Sequence, residues 1–233
     1  MVDKEEFDQH ADTYNAGLSP YVKITGESIE FFAQSRIKWV AKQLKTRGDM
    51  PQKILDYGCG IGVATPFFLD EFGNDCTITG VDVSSASLDV ARSKYGAGNI
   101  NFVTLKDHFP SASMDLAFCN GVFHHIPLDE QDSAMRYVYD SLRPGGYFAL
   151  WENNPWNPLT RYNMAHAEID RNAIAIIPPH AKKLVVTGQF ELLEMQFHFI
   201  FPNFLKFLRP LETLFAPLPI GAQYVVFCRK AAS

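Results

Sequence analysis

The stretch Ile54-Leu55-Asp56-Tyr57-Gly58-Cys59-Gly60-Ile61-Gly62-Val63-Ala64-Thr65 constrains this chain more than any other. A short apolar run ends in an acid, glycines follow at alternate positions, and an apolar helical pattern starts at once. That order predicts a strand, a tight loop and a helix N-terminus. Glycine suits such a loop because it takes positive φ at little cost and lets a ligand approach bare backbone. The helix behind it offers unpaired N–H groups at a positive dipole end, a place for a carboxylate or a phosphate. Asp82 closes the next strand, Thr77-Ile78-Thr79-Gly80-Val81-Asp82. In a parallel sheet an acid there lies beside the first loop and can hold a ribose diol. Together the two stretches point to a nucleoside ligand.

The pattern around them alternates strands and helices as far as Trp151. A helix with Thr25 as N-cap carries one apolar face through Ile29, Phe32, Ala33, Ile37, Val40, Ala41 and Leu44. Arg36 sits beside that stripe and reads as a surface cation. Helices are then predicted over Ala64–Phe72, Ser85–Tyr95 and Gln131–Leu142, and strands over Ile100–Leu105, Met114–Asn120 and Tyr147–Trp151. Such alternation means right-handed crossovers and a parallel sheet, with the ligand crevice outside the carboxyl ends of the strands. Beyond Trp151 the rhythm breaks. Helical spacing runs from Asn163 to Ala175 and stops at Pro178-Pro179; a strand, Phe190–Phe201, precedes an apolar helix, Asn203–Phe215, and a last strand, Gln223–Cys228. The late helix has three readings: core packing, the commonest fate of such a stripe, a homodimer face, or a cover for a lipid-like acceptor.

The loop spacing Gly58-x-Gly60-x-Gly62 departs from the dinucleotide fingerprint Gly-x-Gly-x-x-Gly. It resembles motif I of the class I S-adenosylmethionine-dependent methyltransferases, and Gly80-Val81-Asp82-Val83-Ser84 resembles their acidic second-strand loop. Asp115-Leu116-Ala117-Phe118-Cys119-Asn120-Gly121 is similar to the family's fourth strand, and Leu142-Arg143-Pro144-Gly145-Gly146 to its turn into the fifth. The resemblance implies an α/β Rossmann-like sheet of seven mostly parallel strands, order 3-2-1-4-5-7-6, last strand antiparallel, with helices on both faces. It also implies S-adenosylmethionine as cofactor. Gly58, Cys59, Gly60 and Gly62 would then lie along the methionine part, Asp56 would orient the loop or meet the amino group, Asp82 would hold the ribose, and Val83 and Ser87 would flank the adenine. Asp107 either reaches the adenine from one position out of register or leaves that contact to backbone. Asn120 and Gly121 follow strand four at the methyl-transfer position.

Candidates for the chemistry are fewer. His124 or His125 can take a proton from an acceptor hydroxyl or amine, or both can be packing residues of the turn. Glu152, Trp156, Asn157 and Arg161 leave strand five above the predicted crevice. The run Asn154-Pro155-Trp156-Asn157-Pro158-Leu159-Thr160-Arg161 is similar to one found in a bacterial branch of the family. An N-terminal segment with Phe7, Ala11 and Tyr14 at helical spacing resembles the helix that covers the cofactor site in small-molecule members, which puts Tyr14 near the acceptor. No spacing suggests a metal site.

Composition narrows the partners. A net charge of -5 argues against a broad nucleic-acid surface, and no apolar run reaches the ~20 residues that span a bilayer. Four scattered cysteines without a Cys-x-x-Cys pair fit free thiols in a reducing cytoplasm. The expectation is one domain over residues 1–233: an N-terminal lid and helix to 50, a cofactor-binding core over 51–151, and a substrate lid with C-terminal strands over 152–233. The expected activity is methyl transfer to a small molecule, with an apolar or lipid-linked acceptor as one option. A nicotinamide-dependent oxidoreductase and a non-catalytic cofactor-binding module stand as the rivals.

Overall fold

The computed structural model describes residues 25–167 and 173–232. Its seven strands form one sheet in the order β3-β2-β1-β4-β5-β7-β6. The strands are β1 (Lys53–Tyr57), β2 (Thr77–Asp82), β3 (Ile100–Thr104), β4 (Met114–Asn120), β5 (Leu142–Asn153), β6 (Phe190–His198) and β7 (Gln223–Lys230). Neighbours from β3 through β5 are parallel, and β7 runs antiparallel to both β5 and β6. That is the expected order. Strand β1 is buried along all but its first residue, as a central strand covered on both faces should be.

The helices are α1 (Ile29–Thr46), α2 (Thr65–Phe72), α3 (Ser85–Tyr95), α4 (Gln131–Ser141), α5 (Pro158–His166), α6 (Pro178–Thr187) and the single turn α7 (Glu212–Phe215). The two faces of the sheet carry separate cores. One, around Leu150, Phe148 and Tyr224, is closed by α4 and α6. The other, around Trp151, Phe118 and Phe227, is closed by α1 and α2. Among the described residues no helix is long and apolar enough to cross a membrane.

Several boundaries differ from expectation. Helix α1 is capped by Ser28, whose hydroxyl accepts the Phe31 N–H at 3.2 Å, and not by Thr25. The helix placed over Asn163–Ala175 instead starts at Pro158, behind an Asn157 cap, and ends at His166; residues 168–172 lie outside the described residues. Pro178 and Pro179 open a helix and do not merely stop one. Proline suits the first helical turn because its missing N–H removes no intrahelical bond. Strand β5 is longer than Tyr147–Trp151, and its pairing with β4 shifts register between Met114 and Leu116.

The apolar stretch 203–215 is the largest departure. It is a 3₁₀ segment, Asn203–Leu211, followed by α7, with Leu205 off helical geometry and Pro210 inside. Pro210 lacks the N–H that a continuous helix would need. No residue of either piece is buried, and Phe204, Phe207 and Leu214 are exposed by more than two thirds. This stripe is not core.

Candidate active site

The carboxyl ends of β1, β2 and β4 meet at one edge of the sheet. Register sets the neighbours there: Asp56 lies opposite Gly80 on one side and Phe118 on the other. The backbone N–H groups of Gly58 and Cys59 both donate to Val81 O, at 2.8 and 3.1 Å, so the chain leaves β1 folded over the end of β2. Gly58 has φ +74°, and a Cβ there would lie 2.2 Å from Val122 Cγ2. No other residue fits without moving the turn after β4. Gly60 N–H donates to Asp82 Oδ2 at 2.8 Å, and Ser84 N–H to Oδ1 at 2.9 Å. Asp82 thereby ties the glycine loop to the start of α3.

Asp56 is buried beneath the loop. Burial first, and the nearby Asp82 carboxylate second, raise its pKa from 3.8 to about 7. Its Oδ2 has no hydrogen-bond partner among the described residues, and neither does the buried Oδ1 of Asn120. Both side chains line a hollow of about 70 Å³ together with Gly58, Cys59 and Gly60. Arg36 lines the same hollow from α1. It is only 8% exposed, which corrects its reading as a surface cation. Its Nε donates to Gln223 Oε1 at 2.9 Å, and Gln223 Nε2 donates to Asn153 Oδ1 at 3.0 Å. The guanidinium also lies 5.9 and 5.6 Å from the ring centres of Phe32 and Phe199. One small hollow therefore holds a cation on one wall and two unsatisfied oxygen acceptors on another.

The other expected contacts fall into place unevenly. Gly62 ends the loop with φ +77°. Val83 directly follows Asp82 and is half-buried; Ser87 is buried in the first turn of α3, its N–H donating to the Ser84 hydroxyl at 3.1 Å. Asp107 is exposed in the turn after β3 and is hydrogen-bonded to the Thr104 hydroxyl, away from the hollow. Gly121 N–H donates to Trp151 O at 2.9 Å, joining the ends of β4 and β5.

His124 and Glu152 form a buried pair, with His124 Nδ1 2.6 Å from Glu152 Oε2. The second carboxylate oxygen accepts the Phe123 N–H at 2.9 Å. The pair thus clamps the 3₁₀ turn Phe123–His125 to the tip of β5, and this turn follows the Val122 that packs on Gly58. His125 is packed on His124, ring centres 4.1 Å apart.

Of the acceptor-side expectations, Tyr14 lies outside the described residues. Trp156 is half-exposed, and Arg161 is exposed on α5. Asn157 is occupied: its Oδ1 accepts the N–H groups of Leu159 and Thr160, and its Nδ2 donates to Ile220 O. It also lines a cavity of about 340 Å³ between α1, α5 and the segment after β6, which Trp156 and Arg161 do not reach. Neither this cavity nor Arg36 was legible as a site, because the residues concerned come from distant segments. Among the described residues no group of His, Cys, Asp and Glu is placed to hold a metal ion.

The sheet order, the glycine loop after β1 and the acid ending β2 define the class I methyltransferase fold. Residues 54–146 match the family model described as methyltransferase domain. The chain is similar to malonyl-[acyl-carrier protein] O-methyltransferase 1 of Ilyobacter polytropus, 30% identical over 50% of this chain and 48% of the relative. It is also similar to the ubiquinone biosynthesis O-methyltransferase of Pseudomonas entomophila, 27% identical over 52% of each. The chain thus spans about half the length of the curated relatives it matches. A solved structure of a SAM dependent methyltransferase from Archaeoglobus fulgidus superposes with a TM-score of 0.67 at 16% identity, covering 90% of this chain and 98% of that one.

Proposed function

We propose that the chain transfers a methyl group from S-adenosylmethionine to a small-molecule acceptor. The observation that carries this reading is the charge pattern of the hollow beside the glycine loop. An α-amino acid presents an ammonium and a carboxylate on one carbon. The unsatisfied oxygens of Asp56 and Asn120 suit the ammonium, and the Arg36 guanidinium suits the carboxylate. A dinucleotide would bring a doubly negative pyrophosphate against the Asp56 carboxyl, which disfavours the nicotinamide alternative.

In this reading Asp82 accepts the ribose hydroxyls while its backbone bonds keep the loop in place. Gly58, Cys59, Gly60 and Gly62 allow the ligand to approach bare backbone, and Val83 and Ser87 flank the adenine. Asp107 lies in the turn after β3, apart from the hollow, so the adenine contact falls to backbone there. When bound, S-adenosylmethionine supplies an electrophilic methyl on a sulfonium. The protein's contribution is alignment and exclusion of water, which supplies up to ~7–11 kcal/mol in intramolecular models. His124 and Glu152 act as positioning residues: His124 Nδ1 is bonded to Glu152 Oε2, Glu152 Oε1 accepts the Phe123 N–H, and together they hold the turn that packs on the loop. The relatives are named for malonyl-[acyl-carrier protein] and for ubiquinone biosynthesis, so they support O-methylation of a small or carried molecule without selecting one.

Thermal melting with candidate ligands tests the reading. S-adenosylhomocysteine at 100 times its Kd stabilises by about 2.7 kcal/mol and raises the melting temperature, whereas NAD should leave it unchanged. A shift with NAD and none with S-adenosylhomocysteine would refute the proposal. Turnover of labelled methyl into any acceptor distinguishes an enzyme from a cofactor-binding regulator.

A further inference from the structure

The 340 Å³ cavity lies across Arg36 from the glycine loop: the Arg36 guanidinium lies over Phe32 and Phe199, and those two rings line the cavity. Phe31, Phe201 and Trp151 add three more aromatic rings to its walls. The volume is that of a small-molecule site. Two polar atoms on the lining side chains lack hydrogen-bond partners among the described residues: Trp151 Nε1 and His198 Nε2. Trp151 is 1% exposed, and its ring centre is 5.0 Å from that of His198. An indole N–H only donates, while a neutral imidazole nitrogen can accept. Burial lowers the His198 pKa to about 4, so the imidazole is neutral at physiological pH. A ligand hydroxyl, which both accepts and donates, satisfies both atoms at once.

The charged residues of the lining carry no free cation. Arg209 pairs with Glu27 at 2.7 Å, donates to Phe201 O at 3.2 Å and lies over the Phe31 ring at 4.6 Å. Glu212 accepts the Phe201 N–H at 2.9 Å and adds a further carboxylate. An anionic ligand would therefore meet a net negative lining inside aromatic walls, at a desolvation cost nothing here offsets.

We infer that this cavity binds the ring of a neutral, hydroxylated cyclic or aromatic compound, and that this compound is the methyl acceptor. The inference rests on the proposed methyltransferase reading and narrows it to a substrate class: the Trp151–His198 corner holds an oxygen, the Phe32–Phe199 walls hold the ring, and carboxylate acceptors are excluded.

The test is calorimetry on the full chain, saturated with S-adenosylhomocysteine, using 2-naphthol, 2-naphthoate and naphthalene as probes. 2-Naphthol should bind at least about tenfold tighter than 2-naphthoate. Trp151→Phe and His198→Phe should each weaken 2-naphthol by about three- to tenfold while leaving naphthalene unchanged, as expected for loss of one hydrogen bond. Ser35→Phe, which fills the cavity from half-buried ground on α1, should abolish binding of both and spare S-adenosylhomocysteine. Equal affinity for naphthoate, or 2-naphthol affinity indifferent to Ser35→Phe, overturns the assignment. So does indifference to both nitrogen-deleting variants, which would mark a water-filled void. Any acceptor found by turnover should show a raised KM with unchanged kcat in 2-naphthol; non-competitive inhibition separates the cavity from the acceptor. Failure of S-adenosylhomocysteine itself to bind sinks the methyltransferase reading, whereas its binding without 2-naphthol sinks only this inference.

Discussion

Replacing Asp56 with asparagine should stabilise the ligand-free protein at pH 8 while weakening its hold on S-adenosylhomocysteine. The carboxyl is buried beside a second carboxylate, and its pKa rises from 3.8 to about 7. At 1.36 kcal/mol per pH unit, keeping it ionised in the fold costs about 4 kcal/mol. The unfolded chain releases this proton near pH 4 and the folded protein near pH 7. Between those values the native state holds a proton that the unfolded state has lost. Stability from this group is therefore fully present below about pH 4, falls as pH rises to 7, and stays low above it. Asparagine has nothing to ionise, though its amide must find or forgo partners at about 1–3 kcal/mol. The net gain at pH 8 is about 1–3 kcal/mol; toward pH 4 the ionisation cost disappears and the amide penalty of about 1–3 kcal/mol remains, so the sign reverses.

Urea midpoints of both proteins from pH 5 to 8 read this directly, and their difference isolates Asp56 from every other titrating group. The gap should widen toward pH 8. Parallel curves would show that the carboxyl is solvated or paired in solution, and the argument from the hollow would fall with it. A bound ammonium beside Asp56 favours its ionised form, so binding at pH 6.5 should also eject a proton. Calorimetry in buffers of different ionisation enthalpy would then give different heats for the native protein and equal heats for Asp56→Asn.

Three further perturbations are expected to separate the parts of the loop. Asp82→Ala removes the acceptor of Gly60 N–H and Ser84 N–H, and calorimetry should show S-adenosylhomocysteine affinity falling more than about tenfold; unchanged affinity removes Asp82 from the site. Gly58→Ala drives a Cβ into Val122 and forces a side chain to positive φ, at roughly 1–3 kcal/mol for the backbone alone; adding Val122→Ala should restore only the part of the urea midpoint owed to the clash. Arg36→Met should weaken S-adenosylhomocysteine by about tenfold yet spare 5′-methylthioadenosine, which has no amino-acid carboxylate, and an equal loss for both would make Arg36 merely structural.

What the sequence disclosed was local. The strand, glycine loop and acid-tipped second strand are contiguous, and their function is carried by backbone geometry that residue types betray directly. Arg36 was opaque because its partner Gln223 lies 187 residues along the chain, and only the fold turns a polar residue on an apolar stripe into a buried one. The Pro178-Pro179 pair was ambiguous for a different reason, since proline both stops one helix and starts another. Pro210 is a legible signal: within Asn203–Phe215 it argues against one continuous helix, and the segment breaks, with Phe204 and Phe207 exposed.

The tip of β5 shows how the local and the assembled parts are joined. Side chains alternate along a strand, so Leu150 and Glu152 point to one face and Trp151 to the other. Pairing with β7 holds this register, Trp151 opposite Val225 and Glu152 opposite Tyr224. On one face Glu152 grips His124 and the turn packed on the glycine loop; on the other, Trp151 walls the aromatic cavity. A one-residue slip would exchange the two, putting a carboxylate in the aromatic cavity and an indole against His124. The antiparallel insertion of β7 between β5 and β6 is thus more than a signature of the fold. It sets the register that keeps the support of the cofactor loop and the cavity on opposite sides of one strand.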